Sequence, residues 1–145
     1  MPDRGWTALF FLDEAVALSA GHRPCRYCRR EAYHAYRAAW AEAFRAPPDR
    51  MAMDGALHAA RVTRARAQVR HEGDLDDLPD GAFILHHGRA CLVLEDRLLA
   101  YTLARYESAT PRPSGRATIL TPVPSIAVLR RGYRPALHPS ATAVA

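Results

Sequence analysis

This chain of 145 residues contains no lysine, so all 20 of its basic side chains are arginines, and they outnumber the 15 acidic residues. Its isoelectric point, near 9.6, is in the range of nucleic-acid-binding domains. Arginine also binds phosphate with two parallel hydrogen bonds. A codon bias toward arginine in a GC-rich genome explains the same composition, so the charge favours a nucleic-acid partner without requiring one.

Cysteine and long apolar runs are also scarce. The three cysteines are too few for a disulfide framework, and Cys91 lies in an apolar run where a buried free thiol is expected. No run comes near the roughly 20 apolar residues that span a bilayer, and no signal-peptide pattern is seen. We therefore expect a cytoplasmic protein in a reducing compartment, with no membrane partner.

Several glycine motifs of enzymes are missing. The sequence has no phosphate-binding loop, no dinucleotide-binding glycine pattern and no Gly-x-Ser-x-Gly turn, which sets those enzyme classes aside. Hydrophobic residues make up 49% and charged residues 24% of the chain, values typical of a folded domain. The length is sufficient to bury a core, so one folded unit is expected.

An apolar block, residues 6–12, lies near the start of the chain. It is expected in the core, as a strand or as the entry to a helix. Asp13 then supplies an acidic first turn, and Gly21 is suited to the left-handed position that ends a helix. Together they predict a short helix over residues 15–20 that delivers the chain to the first two cysteines.

A longer helical pattern follows the cysteines. Over residues 31–44 the apolar and aromatic side chains recur at steps of three and four, which predicts a helix with Trp40 and Phe44 facing inward. Asp54 is expected to cap another helix over residues 55–71.

The second half of the chain has the pattern of short strands. Three apolar runs separated by turn residues predict an antiparallel meander, followed by a strand over residues 116–121 and a helix over residues 124–131. The tail from Pro135 is expected to be loosely held. The prediction is therefore an α+β fold, with a helical region (1–73) and a small antiparallel region (74–145) packed as one unit. The three runs are Ala82–Leu85, Ala90–Leu94 and Leu98–Tyr101.

One segment, residues 21–30, combines metal-capable side chains with dense positive charge. Cys25 and Cys28 lie three positions apart, so both thiolates can bind one ion, and zinc takes thiolate ligands at about 2.3 Å. The nearest further ligands are His22 and His34. The alternative is a pair of reduced thiols in a helix–loop–helix. A thioredoxin-like redox pair is less favoured, because a helix and a glycine, rather than a strand, precede the thiols.

Two sets of arginines are candidates for nucleic-acid contact. The first set surrounds the thiols at helical spacing and is predicted to form one positive surface. The second lies on the predicted helix over residues 55–71, which is either a solvated surface helix or a phosphate-facing one. The first set is Arg23, Arg26, Arg29, Arg30 and Arg37, and the second is Arg61, Arg64, Arg66 and Arg70.

The stretch from Ala17 to Arg30 resembles the last segment of the metal-binding domain of Ada-type DNA alkylation-repair proteins. An Ala/Leu-rich helix, a glycine, an Arg-Pro pair and Cys-x-x-Cys follow one another in both. In that family four cysteines hold zinc, and one of the upstream pair accepts a methyl group from a DNA phosphotriester. The resemblance covers about a tenth of this chain and only the downstream pair. It implies that Cys25 and Cys28 are structural zinc ligands beside a DNA-facing surface.

Three classes of function remain open. The main prediction is a nucleic-acid-associated module of a bacterial protein, related to DNA repair, that binds zinc or retains the relic of a zinc site. The alternatives are a DNA-modifying or repair enzyme, and a structural or protein-interaction domain without metal. The first two predict salt-dependent DNA binding, and the enzyme adds a methyl group on a cysteine.

Overall fold

A computed structural model describes residues 9–145 and has the predicted α+β architecture, with helices mainly in the first half and an antiparallel sheet in the second. None of the helices in that range is long and apolar enough to cross a membrane. The helices are α1 (Glu14–Ser19), α2 (Arg30–Phe44), α3 (Arg50–Arg61), α4 (Val123–Arg130) and α5 (Pro139–Val144). The strands are β1 (His71–Asp74), β2 (Phe83–His86), β3 (Arg89–Leu94), β4 (Arg97–Tyr101), β5 (Tyr106–Pro111) and β6 (Arg116–Ile119).

The six strands form one sheet in the order β1-β6-β2-β3-β4-β5, with every neighbouring pair antiparallel. The predicted meander is confirmed as β2, β3 and β4, and the strand predicted at residues 116–121 is β6. Strands β1 and β5, at the two edges, were not expected, because their residues lack the alternating apolar pattern of the central strands.

Both faces of the sheet are buried. Because successive side chains of a strand point to opposite faces, neighbouring residues pack on different sides of the sheet. Ile84 and Val93 pack on one face with α2, α3 and α4, whereas Phe83 and Leu92 pack on the other with α1 and α5. The continuous apolar runs of the central strands are therefore explained by cover on both sides. Core residues of the first face come from both halves of the chain.

The first two helices were predicted well. Asp13 accepts a hydrogen bond from the Val16 amide at 3.0 Å and caps α1, and Gly21 follows the helix with a φ of 79°. On α2, Trp40 is buried as expected, but the prediction for Phe44 is wrong, since its side chain is 44% exposed. The last turn of α2 extends past the core, and Phe44 packs only along its own helix against the Trp40 ring.

Helix α3 begins and ends earlier than predicted. Asp49, not Asp54, accepts the capping hydrogen bond, from the Ala52 amide at 3.0 Å, and the chain leaves the helix at Val62 in an extended conformation. The apolar anchors Met53 and Leu57 have no successors after Arg61, so nothing buries a further turn. Three of the four arginines of the second set therefore lie outside the helix.

The chain ends are also organised differently from the prediction. The tail after Pro135 is not loose, because α5 packs on β5 and buries Ala141. Of the apolar block at residues 6–12, the first three residues lie outside the described residues. Leu9 and Phe10 are exposed rather than in the core, whereas Phe11 and Leu12 pack partly on the face of the sheet that contains Phe83 and Leu92.

Candidate functional site

The two cysteines of the thiol loop, residues 22–29, lie on one turn. The Arg29 amide donates to the Cys25 carbonyl at 2.9 Å and closes this turn. The Cys28 amide, followed by the Tyr27 amide, the Cys28 thiol and the charge of Arg23, lowers the pKa of Cys25 against the effect of burial, whereas the neighbouring Cys25 thiol raises the pKa of Cys28. The Cys28 side chain is exposed, and that of Cys25 is half-buried.

A structural zinc site would need further ligands beside this pair, because such an ion takes four. Within residues 9–145 no three Cys, His, Asp or Glu side chains come together to hold a metal. In that range, Cys25 and Cys28 are therefore not joined by a third side chain of these types.

The two histidines predicted as further ligands have other surroundings. The His22 Nε2 atom lies 3.0 Å from Arg61 Nη1, which can only donate, so this nitrogen accepts. Burial, followed by the charge of Arg61, lowers the pKa of His22 and keeps the ring neutral. His34 is exposed on α2, with its ring edge-on to Tyr33.

Two of the five arginines predicted on one surface are instead part of the packing between α2 and α3. They lie over one side of α2, which we call the tyrosine face, formed by Tyr33, Tyr36 and Trp40. Arg23 donates two hydrogen bonds to Asp54 on α3, at 2.7 and 2.8 Å, and its guanidinium lies 5.2 Å from the centre of the Tyr33 ring. Arg37 lies over the same ring and donates to the Pro48 carbonyl. Both guanidinium groups are therefore engaged in contacts within the protein.

Arg26, Arg29 and Arg30 are exposed around the start of α2. Arg29 forms an ion pair with Glu14 at 2.6 Å, whereas Arg26 and Arg30 have no carboxylate partner among the described residues. Helix α2 begins at Arg30 without a side-chain cap, and Glu31 is the acidic residue of its first turn. Three arginines thus outnumber Glu14 and Glu31 where the thiol loop enters α2.

A groove of about 920 Å³ runs from this point along α2. Its floor is the alanine face of α2, formed by Ala32, Ala35 and Ala38, and its far wall is the segment of residues 131–136 that follows α4. Cys28 lies at one end of the groove. The small alanine side chains leave the groove open, because they cannot reach the opposite wall.

Arginines border the groove from both sides. Arg30 lies on the α2 side, and Arg131 and Arg134 lie on the far wall. Glu14, Glu31 and Glu42 also line the groove; Glu31 directly follows Arg30, whereas Glu42 is 12 residues beyond Arg30, or about 18 Å along the helix. With Arg29, four arginines thus line the groove together with three glutamates.

Glu14 fixes the far wall of the groove to the rest of the molecule. Its carboxylate accepts hydrogen bonds from the Tyr133 hydroxyl at 3.0 Å and from the Ala136 amide at 2.8 Å, in addition to the ion pair with Arg29. Burial, together with the carboxylate, raises the pKa of Tyr133, so the hydroxyl remains a donor. One mostly buried carboxylate thus links α1, the start of α2 and the far wall.

The sequence did not predict the contribution of the far wall. Arg131 and Arg134 lie about 100 residues from the thiols along the chain. The only local signal was the cluster of basic residues around Gly132, which indicated a surface turn but not its neighbour in space.

The fold and the groove define an α+β protein with an arginine-bordered surface beside a two-thiol loop. No family model matches the chain, and no curated protein and no solved structure is significantly similar to it.

Proposed function

We propose that this protein is a cytoplasmic, nucleic-acid-associated module that binds DNA through the arginines that border the groove. The observation that carries the proposal is the convergence of Arg30, Arg131 and Arg134 from two sides on one groove, with Arg26 beside it. Guanidinium groups in this arrangement can contact successive phosphates of one strand.

The test is DNA binding by fluorescence anisotropy over a range of salt concentrations. The parent protein should bind unrelated duplexes with similar affinity, and the logarithm of its affinity should fall linearly with that of salt. Replacing Arg30→Gln and Arg131→Gln together should lower the slope by about 1.8, which corresponds to two lost phosphate contacts.

A matched control removes the same charge elsewhere. Arg45 and Arg50 are both exposed; Arg45 follows the last residue of α2, about 22 Å from Arg30 along the helix axis, and Arg50 begins α3. The variant R45Q/R50Q should keep the parent's slope. A parent that shows no binding at low salt contradicts the proposal and leaves the structural or protein-interaction alternative.

We infer further that the thiol loop is the relic of a zinc site, as the resemblance to the Ada-type segment suggests for a chain that retains only the downstream cysteines. Protein purified with zinc present should contain far less than one ion per chain, and the variant C25S/C28S should unfold at the same temperature as the parent. One chelator-resistant zinc per chain would contradict the relic. A methyl group transferred from methylated DNA to Cys25 or Cys28 would favour the repair-enzyme alternative.

A further inference from the structure

The arginines that follow α3 lie on a short hairpin, residues 61–70, that connects α3 to β1. Val62 pairs antiparallel with Gln68, and the Val69 amide donates to the Arg61 carbonyl at 2.9 Å. The turn is closed by the Thr63 amide, which donates to the Ala67 carbonyl, and by the Arg66 amide, which donates to the Thr63 carbonyl. Residues 64–66 therefore form the tip of a two-stranded ribbon.

The base of the hairpin is fixed to the fold at both ends. Arg61 is hydrogen-bonded to His22, and it packs so closely on Gly21 that a Cβ atom there would lie 2.5 Å from its Cδ atom. At the other end, His71 begins β1 and pairs with Ile119 of β6. The base is thus held by α3, by the residues that follow α1 and by the sheet, and Arg66 lines a shallow recess with Ser19, Ala20 and Leu120.

The hairpin is as basic as the segment of residues 21–30. Each contains four arginines and no acidic residue within ten positions. Arg64, Arg66 and Arg70 are exposed, and the described part of the chain provides none of them with a carboxylate partner. Arg70 donates instead to the Gln68 side chain at 3.2 Å. The hairpin is therefore an exposed segment with charge of one sign.

The shape and composition of the tip distinguish among nucleic acids. Single strands are held by aromatic side chains on which bases stack, and the hairpin has no aromatic residue between Arg61 and Arg70. The minor groove of an RNA duplex is wide and shallow, whereas that of B-form DNA is about 6 Å wide and narrower still in A-tracts, where its negative potential attracts arginine. At the tip, the small Ala65 separates two exposed arginines, Arg64 and Arg66.

We propose that the tip of this hairpin inserts Arg64 and Arg66 into the minor groove of duplex DNA. This inference rests on the proposed function, because it adds a second, groove-reading contact to a protein that holds DNA phosphates elsewhere. It assigns to the hairpin a preference for narrow, A-tract minor grooves over G·C-rich ones.

The experiment compares the parent with R64Q/R66Q on three probes of equal length: an A-tract duplex, a G·C-rich duplex and a single strand. The parent should bind the A-tract duplex most tightly and the single strand most weakly. The variant should lose the preference between the two duplexes. Its salt slope on duplex DNA should fall by about 1.8, which at 0.1 M salt corresponds to roughly 60-fold weaker binding if the affinities converge at 1 M.

Glutamine preserves the side-chain stems and, like arginine, must adopt the positive φ of 61° at position 66, so the hairpin should keep its conformation. The control variant R97Q/R105Q removes equal charge from β4 and the loop after it, four strand spacings or about 19 Å from β1 across the sheet. It should retain the parent's preference and slope. Thermal unfolding checks that both variants are folded.

The outcomes separate the two proposals. If the parent binds DNA and R30Q/R131Q weakens it, but R64Q/R66Q binds as the parent does, the hairpin inference alone fails. Equal losses on duplex and single strand, or a parent without A-tract preference, also overturn insertion into the groove. If the parent binds no DNA, the proposed function fails, and the hairpin inference fails with it.

Discussion

The two sides of helix α2 differ in what covers them, although they share one backbone. The tyrosine face is buried under α3 and α4. The rings of Tyr36 and Tyr133 lie edge to face, with their centres 5.4 Å apart. The alanine face borders the open groove. Large side chains thus anchor the helix on one side, and small ones keep the other side accessible.

The arginines on the two sides differ in the same way. Arg23 is held by two hydrogen bonds to Asp54 and by the Tyr33 ring, whereas Arg30 is exposed and lacks a carboxylate partner within residues 9–145. An arginine whose guanidinium group is held in the packing is not available to bind a ligand. The number of arginines in a segment therefore overestimates its binding surface.

The largest expected effect comes from removing an anchor of the tyrosine face. Tyr36→Ala should lower the free energy of unfolding by about 3–5 kcal/mol, because it leaves a cavity at a fully buried position. On the alanine face, Ala38→Gln should change it by less than about 0.5 kcal/mol, because that position is exposed. Urea unfolding followed by circular dichroism measures both. Equal midpoints for the two variants would show that the faces do not differ as described.

The next effect separates the two kinds of arginine. Arg23→Ala should cost about 1–2 kcal/mol of unfolding free energy, since it leaves Asp54 without its partner and uncovers Tyr33. Arg30→Ala should cost less than about 0.5 kcal/mol but should lower the salt slope of DNA binding by about 0.9. A double-mutant cycle between Arg23 and Asp54 checks the first value. Reversed roles, with binding lost on replacing Arg23, would contradict the assignment.

A smaller effect is expected where the tyrosine face buries polar atoms. Burial raises the pKa of Tyr36 to about 12, and the nearby Ser125 hydroxyl partly opposes this shift. Neither hydroxyl makes a hydrogen bond of good geometry with a described residue. Ser125→Ala should therefore be neutral or should stabilise the protein by up to about 1 kcal/mol. A loss of more than that in thermal unfolding would mean that the two hydroxyls form a strong hydrogen bond.

The smallest effect is a dependence on pH. Because the pKa of His22 is lowered in the fold, the unfolded chain binds a proton below about pH 6.5 that the folded chain does not. The free energy of unfolding should thus fall as the pH is lowered from about 7.5 to about 5.5. His71 and His86 shift in the same direction, so the measurement is the difference between the parent and His22→Gln. The variant should show the weaker dependence, and identical curves would exclude His22 as a cause.

The sequence predicted the elements whose signals are local. The cap at Asp13, the glycine at position 21 and the apolar period of α2 were sufficient to locate the first two helices. It did not predict the end of α3, because only tertiary contacts show that nothing buries a further turn after Arg61. Strand β1 was not predicted for a related reason, since its pairing with β6 depends on residues more than 40 positions away.

The candidate site was less predictable than the fold. The sequence predicted the thiol loop and its arginines as the candidate site. Which of these arginines pair with a carboxylate depends on Asp54 and Glu14, which are distant in sequence. The far wall of the groove could not be paired with α2 without the three-dimensional structure. The resemblance to the Ada-type segment stays a prediction.

The carboxylates of Asp13 and Glu14 also bear on how this chain is completed during synthesis. They accept hydrogen bonds from Tyr106, Tyr133, Ala136 and His138, which lie 93 to 125 residues downstream. Because a ribosome releases the amino-terminal part first, α1 emerges long before these donors exist. The first helix of the sequence is thus among the last to gain its native partners, and a nascent chain that stops before residue 133 lacks most of the donors that hold it.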